Sequence, residues 1–130
     1  MDYSATFGLI EKYIDAIQSS KPEAIIELFT ADGTVDSPVC GLKPARQFYY
    51  DWLKETNSVR VTVLNKFINP ENPCSMALHL VLHLTLVRNN KDVSFPVVDI
   101  FDLNDTSDKI KKLNILFDKT KLIPSSSDKK

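Results

Sequence analysis

Residues 76–103 read MALHLVLHLTLVRNNKDVSFPVVDIFDL, and two runs of period two meet there across a polar turn. In the first run Leu78, Leu80, Leu82, Leu84 and Leu86 fall on one side of an extended chain, with Ala77, His79, Val81, His83 and Thr85 on the other. Asn89-Asn90-Lys91 supplies a tight turn, and a strand from about Val93 to Leu103 returns beside the first. Parity places Phe95, Val97, Asp99, Phe101 and Leu103 on one face of that strand and Pro96, Val98, Ile100 and Asp102 on the other. Proline cannot donate to a ladder, so Pro96 predicts a bulge. Asp99 is the anomaly of the stretch. A carboxylate stripped of water without a partner either keeps its proton or stays costly, and such carboxyls cluster in active sites. The pattern therefore predicts a pocket rather than a plain core.

Working outward, Asn104 to Asp108 predicts a second turn into a strand over Ile110 to Phe117, which makes the three strands a meander. The glycosylation sequon Asn104-Asp105-Thr106 falls inside that turn and is read as turn chemistry. Upstream, Val59, Val61 and Val63 alternate with Arg60 and Thr62 after a polar break at Asn57-Ser58. The N-terminal third has helical period instead. Phe7, Ile10, Ile14 and Ile17 recur at three and four residues over Ser4 to Ser19, with Tyr13 beside the stripe and turned inward. Ser20-Lys21-Pro22-Glu23 reads as a capping box opening a second helix that buries Ile25, Ile26, Leu28 and Phe29 and stops near Asp32-Gly33. Thr34 to Val39 predicts a short strand broken at Pro38, followed by a loop through Gly41. A third helix from Pro44 then buries Phe48, Tyr49, Trp52 and Leu53. The expectation is an α+β fold, a cone of three N-terminal helices packed on the concave face of a curved, mostly antiparallel sheet. One domain spans residues 1–122, and the proline, serines and charges of 123–130 predict a frayed polar tail.

Composition bounds the function. The chain has 130 residues, and 16 Lys and Arg against 17 Asp and Glu leave no basic footprint, so nucleic acid is not an expected partner. No run approaches the roughly 20 apolar residues of a membrane helix. Cys40 and Cys74 lack a CxxC spacing and no signal peptide is readable, which makes the cytoplasm the expected compartment. His79 and His83 share a strand face, but the strand supplies no third or fourth donor, so neither a metal nor another cofactor is expected. Cys40 has no neighbouring His or Lys in sequence to activate it and reads as an ordinary small residue.

Several of these stretches, taken in order, resemble the ketosteroid isomerase-like branch of the NTF2-like, or SnoaL-like, superfamily. They are Tyr13 within Ile10-Glu11-Lys12-Tyr13-Ile14, Ala24 to Phe29 leading into Ala31-Asp32-Gly33-Thr34-Val35-Asp36-Ser37-Pro38-Val39, Phe48-Tyr49, Val98 to Phe101, and Leu113 to Phe117. The resemblance spans most of the chain. It implies that Tyr13 and a protonated Asp99 form an oxyanion hole, as a helix tyrosine and a neutral aspartic acid do in those isomerases, with Tyr49 supporting Tyr13 through a hydrogen bond. The expected pocket lining is Val35, Leu82, Leu84, Leu86, Phe95, Val97, Phe101, Leu113, Ile115 and Phe117. Where the isomerases carry an aspartate base before the proline, this chain has Ser37, preceded by Asp36. Strand alternation turns Asp36 to the opposite face, and an unassisted serine is a poor base.

Two functions follow as expectations. One is a steroid delta-isomerase-like enzyme, free of cofactors, that polarises a carbonyl for enolate-type isomerisation or dehydration. The alternative is a non-catalytic module that has lost the base and either binds a small hydrophobic carbonyl or phenolic ligand or serves only as a dimeric interaction domain. A homodimer through the outer sheet face of Val81, His83, Val98 and Ile100 is also expected, as related domains often pair there.

Overall fold

The structure, a computed structural model, describes residues 2–121, so the predicted tail over 123–130 lies outside the described residues. Helices α1 (Ser4–Ser19) and α2 (Pro22–Ile26) precede strands β1 (Phe29–Ser37) and β2 (Gly41–Pro44). Helix α3 (Ala45–Lys54) leads into β3 (Thr56–Ile68), β4 (Ser75–Leu86), β5 (Asp92–Leu103) and β6 (Ile110–Leu116). The strands form one curved, open, mixed sheet in the order β2-β1-β6-β5-β4-β3, parallel only between β1 and β6. The helices pack on its concave face, as the alternation anticipates.

Helix α1 is tied along β3 by two polar contacts, and a third joins the residue before α1 to the residue after β3. Gln18 Oε1 accepts from Val61 N–H at 2.9 Å, Lys66 Nζ donates to Glu11 at 2.8 Å, and Tyr3 O–H donates to the Asn69 carbonyl at 2.7 Å. These contacts satisfy part of an otherwise open sheet edge. They also fix the roll of the helix, so that Leu9, Ile10, Tyr13, Ile14 and Ile17 face the sheet and are buried.

Five local expectations are corrected. Ser20 is not an N-cap: it ends α1 in the left-handed region (φ 58°), its N–H donating to the Ile17 carbonyl at 3.3 Å, and α2 starts from Lys21 with Pro22 in its first turn. The second helix stops at Ile26 rather than near Gly33, because Phe29 already pairs with Ile110 of β6 and the chain is committed to the sheet. The predicted loop through Gly41 contains β2, a short edge strand paired to Thr34–Ser37, and the Asn57-Ser58 break lies inside β3. Finally, Pro96 makes no bulge. The β4–β5 register runs unbroken from Ser75 opposite Asp102 to Thr85 opposite Asp92. Leu103 N–H donates to Cys74 O, so odd-numbered residues of β5 bond to β4 and the Pro96 nitrogen turns toward β6, whose pairing has already ended at Leu116 opposite Val98. Proline costs no ladder bond at that place.

Candidate functional site

Asp99 lies near the middle of the sheet, with Leu78 of β4 and Ile115 of β6 directly opposite it on either side. Its face of β5 continues with Val97 and Phe101, both buried. The side chain is 4% exposed and makes no hydrogen bond among the described residues, yet no fully enclosed side-chain oxygen is left without a partner. Its carboxyl therefore faces a cavity, which it helps to line. Burial pushes the Asp99 pKa from 3.8 up to about 7, because an apolar surround penalises the ionised form. Below that pH the group is a neutral acid with a proton to donate.

Tyr13 reaches the same cavity from α1 and Tyr49 from α3, and their hydroxyls meet at 2.6 Å. Phe101 packs edge-on against the Tyr13 ring (5.3 Å, 78°), and Phe48 packs likewise against Tyr49 (4.9 Å, 84°). Both phenols are buried and titrate well above their ordinary range, first through desolvation; the neighbouring Asp99 charge raises both further. They stay protonated at any physiological pH. The hydroxyl pair can orient so that Tyr49 donates to Tyr13 and Tyr13 donates onward, giving two donors, phenol and carboxylic acid, at one end of an apolar space.

The cavity holds about 150 Å³, on the scale of an apolar void that accepts a single aromatic ring. Leu82, Leu84, Phe95, Val97, Ile115 and Phe117 line it as expected from the sequence. Val35, Leu86, Phe101 and Leu113 do not. Val35, Leu113, Phe101 and Met76 form one row across β1, β6, β5 and β4, fully packed beneath the Tyr13 side of the site. There Phe101 packs edge-on against the Tyr13 ring. Leu86 is buried at the far end of β4, where Thr56 pairs with it.

Ser37 is in the cavity wall at the end of β1, its Oγ accepting from the Cys40 N–H at 3.1 Å. Asp36 is absent from that wall, in keeping with its opposite parity. Sequence reasoning missed Ile17, Leu80 and the mouth residues Val39, Cys40, Lys43, Asp51, Trp52 and Glu55. Leu80 shares the parity of Leu78 and Leu82, and Phe48, Trp52 and Glu55 share one face of α3 by spacing, so those signals were present. Lys43 had none, because β2 was not predicted. Among the described residues no group of three or more His, Cys, Asp or Glu is placed to hold a metal, and no helix is long and apolar enough to cross a membrane. His79 and His83 bond instead to neighbouring strands: His79 to Asn65, and His83 to Thr62 and Ser94.

No protein-family model matches the chain, and no curated protein matches it. Solved structures do. The pinacolase BvnE from Penicillium brevicompactum aligns with a TM-score of 0.81 at 7% identity, over 97% of this chain and 94% of its own. SalBIII, an epoxide hydrolase/cyclase-like enzyme of pyran ring formation in the polyether salinomycin, aligns at 0.79 with 19% identity, over 92% and 95%. A hypothetical protein of ketosteroid isomerase-like fold from Catenulispora acidiphila, in complex with trimethylamine, aligns at 0.75 with 15% identity, over 92% of each chain. Together with three helices on an open six-stranded sheet and a cavity between them, these likenesses assign the chain the cone fold of the NTF2-like, ketosteroid isomerase-like proteins.

Proposed function

We propose that the protein takes a small, largely apolar ligand by a carbonyl or phenolic oxygen, which accepts hydrogen bonds from Tyr13 and the protonated Asp99. The polarised carbonyl then supports enolate-type isomerisation or dehydration of the steroid delta-isomerase kind, with the C–H proton passing to water admitted at the cavity mouth, since Ser37 is a poor base and Asp36 lies outside the wall. The observation that carries this is the unpartnered Asp99 carboxyl, 4% exposed at the edge of an apolar cavity beside the Tyr13–Tyr49 hydroxyl pair. A buried polar group without a protein partner is costly, and a ligand oxygen relieves that cost. Similar folds bearing the names of a cyclase-like enzyme and a pinacolase lend support to small-molecule chemistry on this scaffold.

Calorimetry with a neutral monocyclic enone tests the oxygen site. Near pH 6, Tyr13→Phe and Asp99→Leu should each weaken binding roughly tenfold, the worth of one hydrogen bond to a buried donor. In the wild type the affinity should fall as pH rises through about 7, by at least the roughly tenfold that the lost donor is worth. An affinity flat from about pH 5 to 9, or no binding, contradicts the assignment.

A second reading, a binding module without catalysis, is favoured by Ser37, whose hydroxyl already accepts from the Cys40 N–H and stands where the isomerases place a carboxylate. We also propose that two copies associate through the outer sheet face. Val81, Val98 and Ile100 are only half-buried there, and Phe67, opposite Ala77 on the same face, is 55% exposed. Sedimentation should find a dimer in the wild type and a monomer in Val98→Lys/Ile100→Lys; a wild-type monomer at high concentration removes the dimer.

A further inference from the structure

The mouth of the cavity carries charges that the deep oxygen site does not use. Asp51 in the last turn of α3 and Glu55 at its C-cap both line the opening with Trp52, whose ring stacks on Phe48 at 6.3 Å and 23°. Lys43 lines it from β2. Among the described residues the ion pairs join Arg46 to Glu23 and Lys66 to Glu11, so neither mouth carboxylate has a cationic partner and Lys43 is paired to neither. Among the described residues lining the opening, two carboxylates stand against one lysine and make it net negative, and the faces of stacked aromatic rings attract cations. The same space runs inward to Asp99, the buried carboxyl with no hydrogen-bond partner among the described residues.

We infer that the ligand carries a cationic nitrogen, an ammonium or quaternary ammonium group, seated at the mouth between Asp51 and Glu55 and against the Phe48 and Trp52 rings. This rests on the proposed oxygen site: the ligand's oxygen meets Tyr13 and Asp99 while its nitrogen stays at the opening. A cavity of about 150 Å³ leaves room between them for one ring, which makes the ligand class a monocyclic amino-ketone or aminoalkyl phenol. Lys43, of the same sign, disfavours a nitrogen placed toward β2 and helps fix the orientation.

Three probes sharing one phenol end separate the charge at the mouth from the oxygen site. They are tyramine, para-ethylphenol and para-hydroxyphenylpropionate, titrated calorimetrically against the intact protein near pH 6. Tyramine should bind roughly tenfold more tightly than para-ethylphenol, and the propionate should bind most weakly, as expected for a partly solvated cation over aromatic rings and carboxylates. In Asp51→Asn/Glu55→Gln the ratio of tyramine to para-ethylphenol affinity should fall to near one, and in the wild type it should shrink with added salt. Equal binding of all three probes, the propionate bound most tightly, or a ratio that survives the double substitution overturns the cation site alone. Failure of all three to bind overturns the oxygen site beneath it.

Discussion

Replacing Asp99 with asparagine should make the protein more stable relative to wild type as pH rises, by ~4 kcal/mol between about pH 4 and pH 8. The folded-state pKa is raised from 3.8 to about 7, with burial as the cause. Below the unfolded value both states hold the proton and the carboxyl imposes no ionisation penalty. Between the two values the unfolded chain ionises while the folded one does not, so wild-type stability falls by about 1.4 kcal/mol per pH unit. Above about 7 both states are ionised and the penalty stays constant at its full size. An amide of the same shape has no such term. The difference between variant and wild type, followed by urea unfolding across this range, isolates Asp99 from the other titrating groups, and a difference that is flat with pH contradicts a buried, unpaired carboxyl. Because the carboxyl faces a cavity open to water at its mouth, the figure is an upper bound.

Deuterium uptake next to the carbonyl of a bound enone should show the other large effect. If Tyr13 and Asp99 stabilise an enolate, the protein accelerates exchange of the acidic C–H in heavy water near pH 6. Asp99→Leu and Tyr13→Phe should each slow that exchange by roughly 10² to 10³, the worth of one oxyanion donor. Ser37→Asp should raise it by roughly 10² to 10⁴, because a carboxylate in the cavity wall can take the proton that a serine hydroxyl does not. The outcomes separate the two functional readings. Exchange in the wild type supports the enzyme; exchange only in Ser37→Asp supports the binding module. Absence in both removes the oxyanion hole.

Much of the fold was legible because period two is hard to imitate by accident. The leucine face of β4, the Asp99 face of β5 and the burial of Tyr13 on α1 all follow from spacing alone. What escaped was set by long-range pairing. Phe29 has a helical sequence context but belongs to β1, because Ile110 is there to pair with it, and β2 exists only as an edge strand on Thr34–Ser37. Pro96 sits in an unbroken ladder because β6 ends before reaching it, which no local rule reveals. The site shows the same division. Alternation tells which face of a strand is concave but not which rows of that face the helices cover, so Val35, Phe101 and Leu113 were expected in a wall that lies over the neighbouring rows. Asp51 and Glu55 look like solvated helix charges until the closing of α3 over the sheet brings them to the opening.

The proposed site requires Asp99 to be a neutral acid, waiting in an apolar wall for an electron-rich oxygen. NMR titration of protein labelled at the aspartate side-chain carboxyl carbon, with Asp99→Asn assigning the signal, tests it most directly. The carboxyl should titrate near pH 7 in the free protein, well above the ordinary aspartate value of 3.8. An Asp99 signal that titrates at that ordinary value instead leaves the fold without the proposed site.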